Sequence, residues 1–351
     1  MYGALKRLLF QLDPERAHHA ALLFLKTAQA AAPVRAALRA PRPSPRLATR
    51  WLGFDVPAPL GMAAGFDKGA ECYDALLALG FGHVEVGTVT PRPQPGNEGL
   101  RVQRWPEQKA LVNRMGFPGP GVEAAARRLS HHPPRGLDGG NIGPNKTTPA
   151  EKVHDDLRAA AGALAPHVAF LTINVSSPNT PGLRALQAPE AVSLLVRATL
   201  EAASDAGHPR PVLLKLHPAA PDDELVRVAR AAVAAGASAI IATNTTRARP
   251  AGTETAIEGG LSGAPLLARS RAAIAALHKG LGRDTPIVGV GGILTGADAM
   301  GHIRAGASLV QAYTGFIYRG PRLPHLVHSE LLAQLDRAGL DRIEEAVGRA
   351  A

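Results

Sequence analysis

The chain has 351 residues, 46% of them hydrophobic and 19% charged, with a single cysteine, Cys72. This composition suits one large soluble α/β domain with something small attached. It excludes an internal disulfide and a cysteine-rich metal site, and no run reaches the roughly 18 apolar residues of a membrane span. The net charge of +10 admits nucleic acid, an anionic surface or an anionic substrate as partner, yet aromatics are only 4% of the chain. Platforms for stacking bases are therefore scarce, and a basic solvated surface accounts for most of the charge.

Residues 1–45 differ from the rest. Leu5, Leu8, Leu9 and Leu12 recur at helical spacing, and Asp13 followed by Pro14 reads as an N-cap with proline in the first turn. A second amphipathic stretch carries Ala17, Ala20, Ala21, Phe24 and Leu25, and the segment closes on the stiff connector "PRPSP". Gln11, Asp13 and Glu15 cut the first apolar patch too short for a signal peptide. Such helices either pack on the domain that follows or lie in a membrane interface, and pattern alone leaves both open.

From residue 55 onward, short apolar runs alternate with stretches of helical period. The strands expected are 58–65, 83–89, 139–143, 168–176, 211–217, 238–244, 286–292 and 308–315. Helical segments such as 191–206, 222–236 and 296–305 separate them, and a long insertion, 91–137, follows the second strand. Eight evenly spaced α/β units over residues 46–351 match a (β/α)8 barrel, with a doubly wound open sheet as the alternative.

In a barrel the chemistry sits at the carboxyl ends of the strands. Here those ends carry Asp67-Lys68, Thr88, Asn141, Asn174 with Ser177 and Asn179, Lys215, Thr243-Asn244-Thr245, Gly291-Gly292 and Tyr313-Thr314. One Asn or Lys at a strand end is usually turn chemistry; this many together argue for a site. A carboxamide offers both donors and an acceptor, so Asn113, Asn174, Asn179 and Asn244 can frame an amide-like heterocycle such as a pyrimidine. Lys68 and Lys215 can each neutralise an anion, and the glycines of "VGVGGI" can close backbone N–H groups on a phosphate. No Walker loop, dinucleotide fingerprint or zinc-protease motif occurs, and the histidines lack ligand spacing, so no metal is expected.

Ten motifs in order then carry a resemblance: "FQLDPERAH", "AAGFDK", "GFGHVEVGTVTPRPQPGN", "NRMGF", "NIGPNK", "INVSSPNTPGLR", "ATNTT", "GGLSG", "VGVGGI" and "LVQAYTGFIY". The chain resembles the class 2, quinone-dependent dihydroorotate dehydrogenases, flavoenzymes of pyrimidine synthesis, nearly end to end. The resemblance implies an FMN-binding (β/α)8 barrel, residues 46–351, and an N-terminal helical extension, residues 1–45, that contacts membrane and quinone. It places the protein peripherally on the cytoplasmic side of the cell membrane, with no nucleic acid partner.

Residue by residue, the resemblance assigns FMN to Ala64, Gly65, Phe66, Asp67, Lys68, Thr88, Asn141, Asn174, Lys215, Thr243, Gly263, Gly292, Tyr313 and Thr314. It assigns dihydroorotate and orotate to Lys68, Asn113, Arg114, Met115, Gly116, Phe117, Asn174, Asn179, Asn244 and Thr245. Ser177 is the implied catalytic base, with Thr180 as proton relay. Serine at 177 and the presence of the extension separate the chain from class 1 enzymes, which place cysteine there. Two departures stand out: Pro144 where the family commonly has lysine, and "KLHPAA" at 215–220 in place of the usual K-I-A-P-D.

Overall fold

The computed structural model describes residues 2–131, 136–176, 185–250 and 257–349. Eight parallel strands close into a barrel. In chain order they are β1 (Leu60–Met62), β2 (His83–Val89), β3 (Leu137–Ile142), β4 (Phe170–Ile173), β5 (Val212–Leu216), β6 (Ala239–Ala242), β7 (Ile287–Val290) and β8 (Leu309–Ala312). All are buried on both faces, which is why each reads as a short apolar run rather than an alternating one. The strands fall inside the stretches expected from sequence, except that β3 begins at Leu137, within the segment read as insertion.

Two apolar layers hold the barrel. Inside it, Leu137, Phe170, Leu213, Ile241, Val288 and Leu309 pack together. Outside, the other strand faces meet the helices, as Ile173, Leu214 and Ile240 do with Leu195, Leu225 and Ile274. The amino end is plugged by an element not anticipated from sequence, the antiparallel hairpin Thr49–Trp51 and Phe54–Val56. Its Trp51 stands edge-to-face on Phe170 with ring centroids 5.5 Å apart.

The insertion after β2 forms a hairpin, Val102–Trp105 and Ala110–Asn113, which recruits Gly260–Gly263 from beyond β6 as a third antiparallel strand. This small sheet stands beside the carboxyl end of the barrel and brings Asn113 and Gly263 to the same region.

The extension forms α1 (Tyr2–Gln11), α2 (Pro14–Ala30) and α3 (Ala32–Ala37). As the sequence predicts, Asp13 caps α2, accepting from the amides of Glu15 at 3.0 Å and Arg16 at 3.1 Å. Helix α2 buries Ala17, Leu25, Ala28 and Gln29, whereas α1 buries nothing completely. Leu8 is 60% exposed, Leu23 64% and Phe24 55%. One face of the extension therefore packs on the barrel and the other faces outward. Among the described residues no helix is long and apolar enough to cross a membrane.

Candidate active site

A cavity of about 670 Å³ opens at the carboxyl end of the barrel and runs between the strand ends and helices α1 and α2. That volume lies in the range of small-molecule and cofactor sites. Its inner end is lined by Lys68, Thr88, Asn174, Lys215, Thr243 and Asn244, and its outer end by Leu5, Leu9, Phe10, Ala20, Ala21 and Phe24.

Both lysines lie where a charge is costly without a partner. Lys68, in the loop after β1, donates to the Gly65 carbonyl at 2.6 Å. Burial pulls its pKa from 10.5 down to about 8, against the opposing pull of Glu15 and Asp67. Lys215, near the end of β5, is likewise lowered by burial, and Glu85 across the barrel works in the other direction. A bound anion would restore to each what burial removes.

The amides form one connected chain. Asn141 Nδ2 donates to Glu85 Oε1 at 2.5 Å, and Thr88 Oγ1 donates to Asn141 Oδ1 at 2.6 Å. Asn174 Nδ2 donates to Thr88 Oγ1 at 2.8 Å and lies 3.2 Å from Asn141 Oδ1. Asn174 Oδ1 in turn accepts from Ser176 Oγ and from Asn244 Nδ2, each at 3.2 Å. The loop 113–117 is fastened from outside by Gln94, whose Nε2 donates to the carbonyls of Gly116 at 3.2 Å and Phe117 at 2.9 Å. Asn97 Nδ2 adds a bond of 2.8 Å to the Arg114 carbonyl.

Most of the residues singled out from sequence meet at this cavity. Ala64, Gly65, Phe66, Met115, Gly116, Phe117, Thr245, Gly263, Gly292, Tyr313 and Thr314 line it with those already named, as does Asn113. Three do not reach it. Asn141 lies one layer beneath, Arg114 sits on the outer rim beside Asn97 and Lys146, and the Asp67 carboxylate turns back to accept from the amides of Glu71 and Cys72. Ser177, Asn179 and Thr180 lie outside the described residues. At the two departures, Pro144 is buried and His217 Nδ1 accepts from the Ala219 amide at 3.0 Å.

Three features suit a flat, polar-edged cofactor with a phosphate. Gly65, at φ +104, borders open space, since a Cβ there would meet nothing within 4 Å. Gly292, at φ +78, packs so closely that a Cβ would stand 2.5 Å from the Leu267 Cα, leaving its backbone free to approach a ligand. Gln311 presents to the cavity a buried Oε1 with no donor among the described residues. No group of three or more potential metal ligands occurs among the described residues.

Several residues in or beside the cavity escaped sequence reasoning. Glu85 and Gln311 sit in apolar strands, and a charged residue inside "HVEVGTV" was the available signal. His18 of α2 lies edge-to-face against Phe66 at 5.2 Å. Burial, with Lys68 and His19 nearby, brings its pKa to about 2, so it is neutral. Glu15 and Arg101 form a two-pronged ion pair joining α2 to the side sheet, with Nε to Oε1 at 2.9 Å.

Comparison with known proteins gives a consistent result. A family profile described as Dihydroorotate dehydrogenase matches residues 46–335. A protein named Dihydroorotate dehydrogenase (quinone) from Anaeromyxobacter dehalogenans (strain 2CP-C) is 46% identical over 355 residues, covering 99% of this chain and 96% of its own. The protein of that name from Mycobacterium marinum (strain ATCC BAA-535 / M) is 45% identical over 364 residues, covering 99% and 97%. Among solved structures, DHODH from Eimeria tenella in complex with ferulenol superposes with a TM-score of 0.88 at 34% identity, covering 96% of this chain and 95% of that one.

Proposed function

The chain belongs to the dihydroorotate dehydrogenase family, whose members depend on a flavin, and we propose that it oxidises (S)-dihydroorotate to orotate in pyrimidine (UMP) synthesis. FMN is the hydride acceptor and a membrane quinone the final oxidant. One observation carries this reading: a single cavity has buried lysines and amides at one end and an apolar helical lining at the other. Two half-reactions with unlike partners need such a vessel.

FMN would be held by Ala64, Gly65, Phe66, Lys68, Thr88, Asn174, Lys215, Thr243, Gly263, Gly292, Tyr313 and Thr314, with Asn141 supporting Thr88 and Asn174 from beneath and Asp67 fastening the turn that carries Lys68. When bound, it supplies a two-electron carrier that accepts hydride from C6 of dihydroorotate and yields the electrons to quinone. Lys215 would offset negative charge on the bound cofactor, a fixed electrostatic contribution in a site shielded from water. Lys68 faces cofactor and substrate alike and neutralises the anionic substrate. Asn113, Met115, Gly116, Phe117, Asn174, Asn179, Asn244 and Thr245 orient the substrate ring by its alternating donors and acceptors. Ser177 takes the C5 proton, and because a serine hydroxyl is a weak base it passes that proton on through Thr180 and water.

Residues 1–45 serve the second half-reaction, and 46–351 form the catalytic barrel. The outer lining of α1 and α2 admits the quinone. The exposed Leu8, Leu23 and Phe24, with Lys6, Arg7, Arg16 and Lys26 near them, rest on an anionic membrane from its cytoplasmic side. The test is anaerobic. Dihydroorotate should bleach the yellow protein with one orotate formed per FMN, and a quinone should restore the colour. Release of FAD on denaturation, or a colour that dihydroorotate leaves untouched, would overturn the reading.

A further inference from the structure

Glu85 lies in the middle of β2, 0% exposed, inside the barrel and below the cavity. A buried carboxylate is costly unless both oxygens are satisfied. Here Oε1 accepts from Asn141 Nδ2 at 2.5 Å and Oε2 from Gln311 Nε2 at 2.7 Å, so three strands, β2, β3 and β8, meet at one side chain. Glu85 itself does not line the cavity.

The chemistry of the groups above it makes this contact directional. A carboxamide can be turned end for end at little steric cost, but a carboxylate in this position can only accept. Asn141 must therefore point its nitrogen down to Glu85 and its oxygen up. That oxygen accepts from Thr88 Oγ1 at 2.6 Å, which uses the one hydrogen the threonine has. Thr88 is left to accept from Asn174 Nδ2 at 2.8 Å, and so the Asn174 oxygen faces onward to Ser176 and Asn244. At the far end, Asn244 Oδ1 accepts from the Thr245 amide at 2.8 Å, a donor that cannot turn over. Gln311, its nitrogen drawn down to Glu85, is left showing its oxygen to the cavity.

We propose that Glu85 is a positioning residue: as the acceptor at the base of this chain, it fixes the direction of the Asn141 carboxamide and, through Thr88, works with the Thr245 amide at the far end to set which end of Asn174 faces the bound ligands. The proposal rests on the reading of the cavity as the FMN and dihydroorotate site, and deepens it by naming what orients the substrate amides.

Two substitutions of similar volume separate orientation from packing. In E85Q the new carboxamide keeps an oxygen for Asn141, so the chain through Thr88 to Asn174 keeps its direction and only Gln311, which stands outside that chain, turns over. In E85M nothing accepts from Asn141, which is then free to reverse. Orotate affinity, followed by calorimetry and by the flavin absorption band of the FMN-loaded proteins, should weaken about tenfold in E85M, the scale of one mis-set buried hydrogen bond. In E85Q it should stay within about threefold of the parent. A role in packing alone would lower the melting temperature of E85M and leave the affinity of its folded fraction unchanged. Should E85M not fold, E85D stands in with the same expectation, because its carboxylate stops one methylene short of Asn141. Parental orotate affinity in E85M or E85D, or an equal loss in E85Q, overturns the proposal. A parent protein that takes up FMN but not orotate would instead defeat the substrate reading on which it rests.

Discussion

Raising the pH through 8 should uncouple the substrate from Lys68. The ligand-free cavity holds this ammonium at a pKa of about 8 because burial penalises its charge, while Glu15 and Asp67 recover only part of the loss. Below pH 8 the group is charged and anion binding is pH-independent with respect to it. Above pH 8 the free protein has lost the proton, and an anionic ligand must recruit it back from solution. Binding should then weaken tenfold per pH unit until the pKa of the complex is reached. If the ligand returns Lys68 to the ordinary 10.5, the loss between pH 8 and 10 amounts to roughly 10²-fold. The assay is the dissociation constant of orotate, read from the flavin band between pH 6 and 10, for the parent and Lys68→Met. Titration of orotate itself is common to both proteins, so the informative quantity is the ratio of the two constants. That ratio should be large and flat up to pH 8 and fall tenfold per unit beyond it. Lys109→Met, at an exposed position in the insertion, should follow the parent throughout. A ratio constant from pH 7 to 10 would refute the assignment of Lys68 to the anionic ligand.

Three further outcomes are expected. Ser177→Ala should retain FMN yet slow flavin reduction by at least the roughly 10²-fold attached to a general base, measured by anaerobic stopped flow; near-parental reduction would remove Ser177 from the chemistry. Gly292→Ala should lose FMN on gel filtration, because the new Cβ would stand 2.5 Å from the Leu267 Cα at a φ of +78, and tight retention of FMN would show that this corner does not hold the phosphate. The double substitution Leu8→Glu and Phe24→Glu, on side chains 60% and 55% exposed, should abolish sedimentation with anionic vesicles and spare flavin reduction by dihydroorotate. Undiminished vesicle binding would place the membrane contact elsewhere.

The barrel was legible because its strands are apolar on both faces and end in polar loops, so period and punctuation both mark them. "VLLKL" around Lys215 and "HVEVGTV", which carries Thr88, are of this kind. The hairpin Thr49–Trp51 and Phe54–Val56 was not legible, since three-residue strands carry no period and its purpose, covering Phe170, is set by the tertiary fold. Gly260–Gly263 was missed for a similar reason: two of its four residues are glycine, and only the insertion hairpin beside it makes it a strand. Within the site, residues on loops after strands announced themselves by type. Glu85 and Gln311 did not, because their meaning lies in a hydrogen bond of 2.7 Å between residues 226 positions apart. Asp67 illustrates the converse: it sits in a motif rich in functional side chains, and its carboxylate fastens the turn that carries Lys68.

On the function proposed above, one cavity serves two separable half-reactions, the substrate entering by the strand ends and the quinone by the helices. Ala21 of α2 lines the outer, apolar end and lies away from Lys68, Asn174 and Lys215 in the sequence and in its element. Ala21→Trp should narrow that end alone. In anaerobic stopped flow, the substituted protein should be reduced by dihydroorotate at the parental rate, and reoxidation by a long-chain quinone should slow at least about tenfold, the cost of a misfitted apolar ligand. Reoxidation at the parental rate, or an equal slowing of both half-reactions, would mean that the quinone does not enter between the helices.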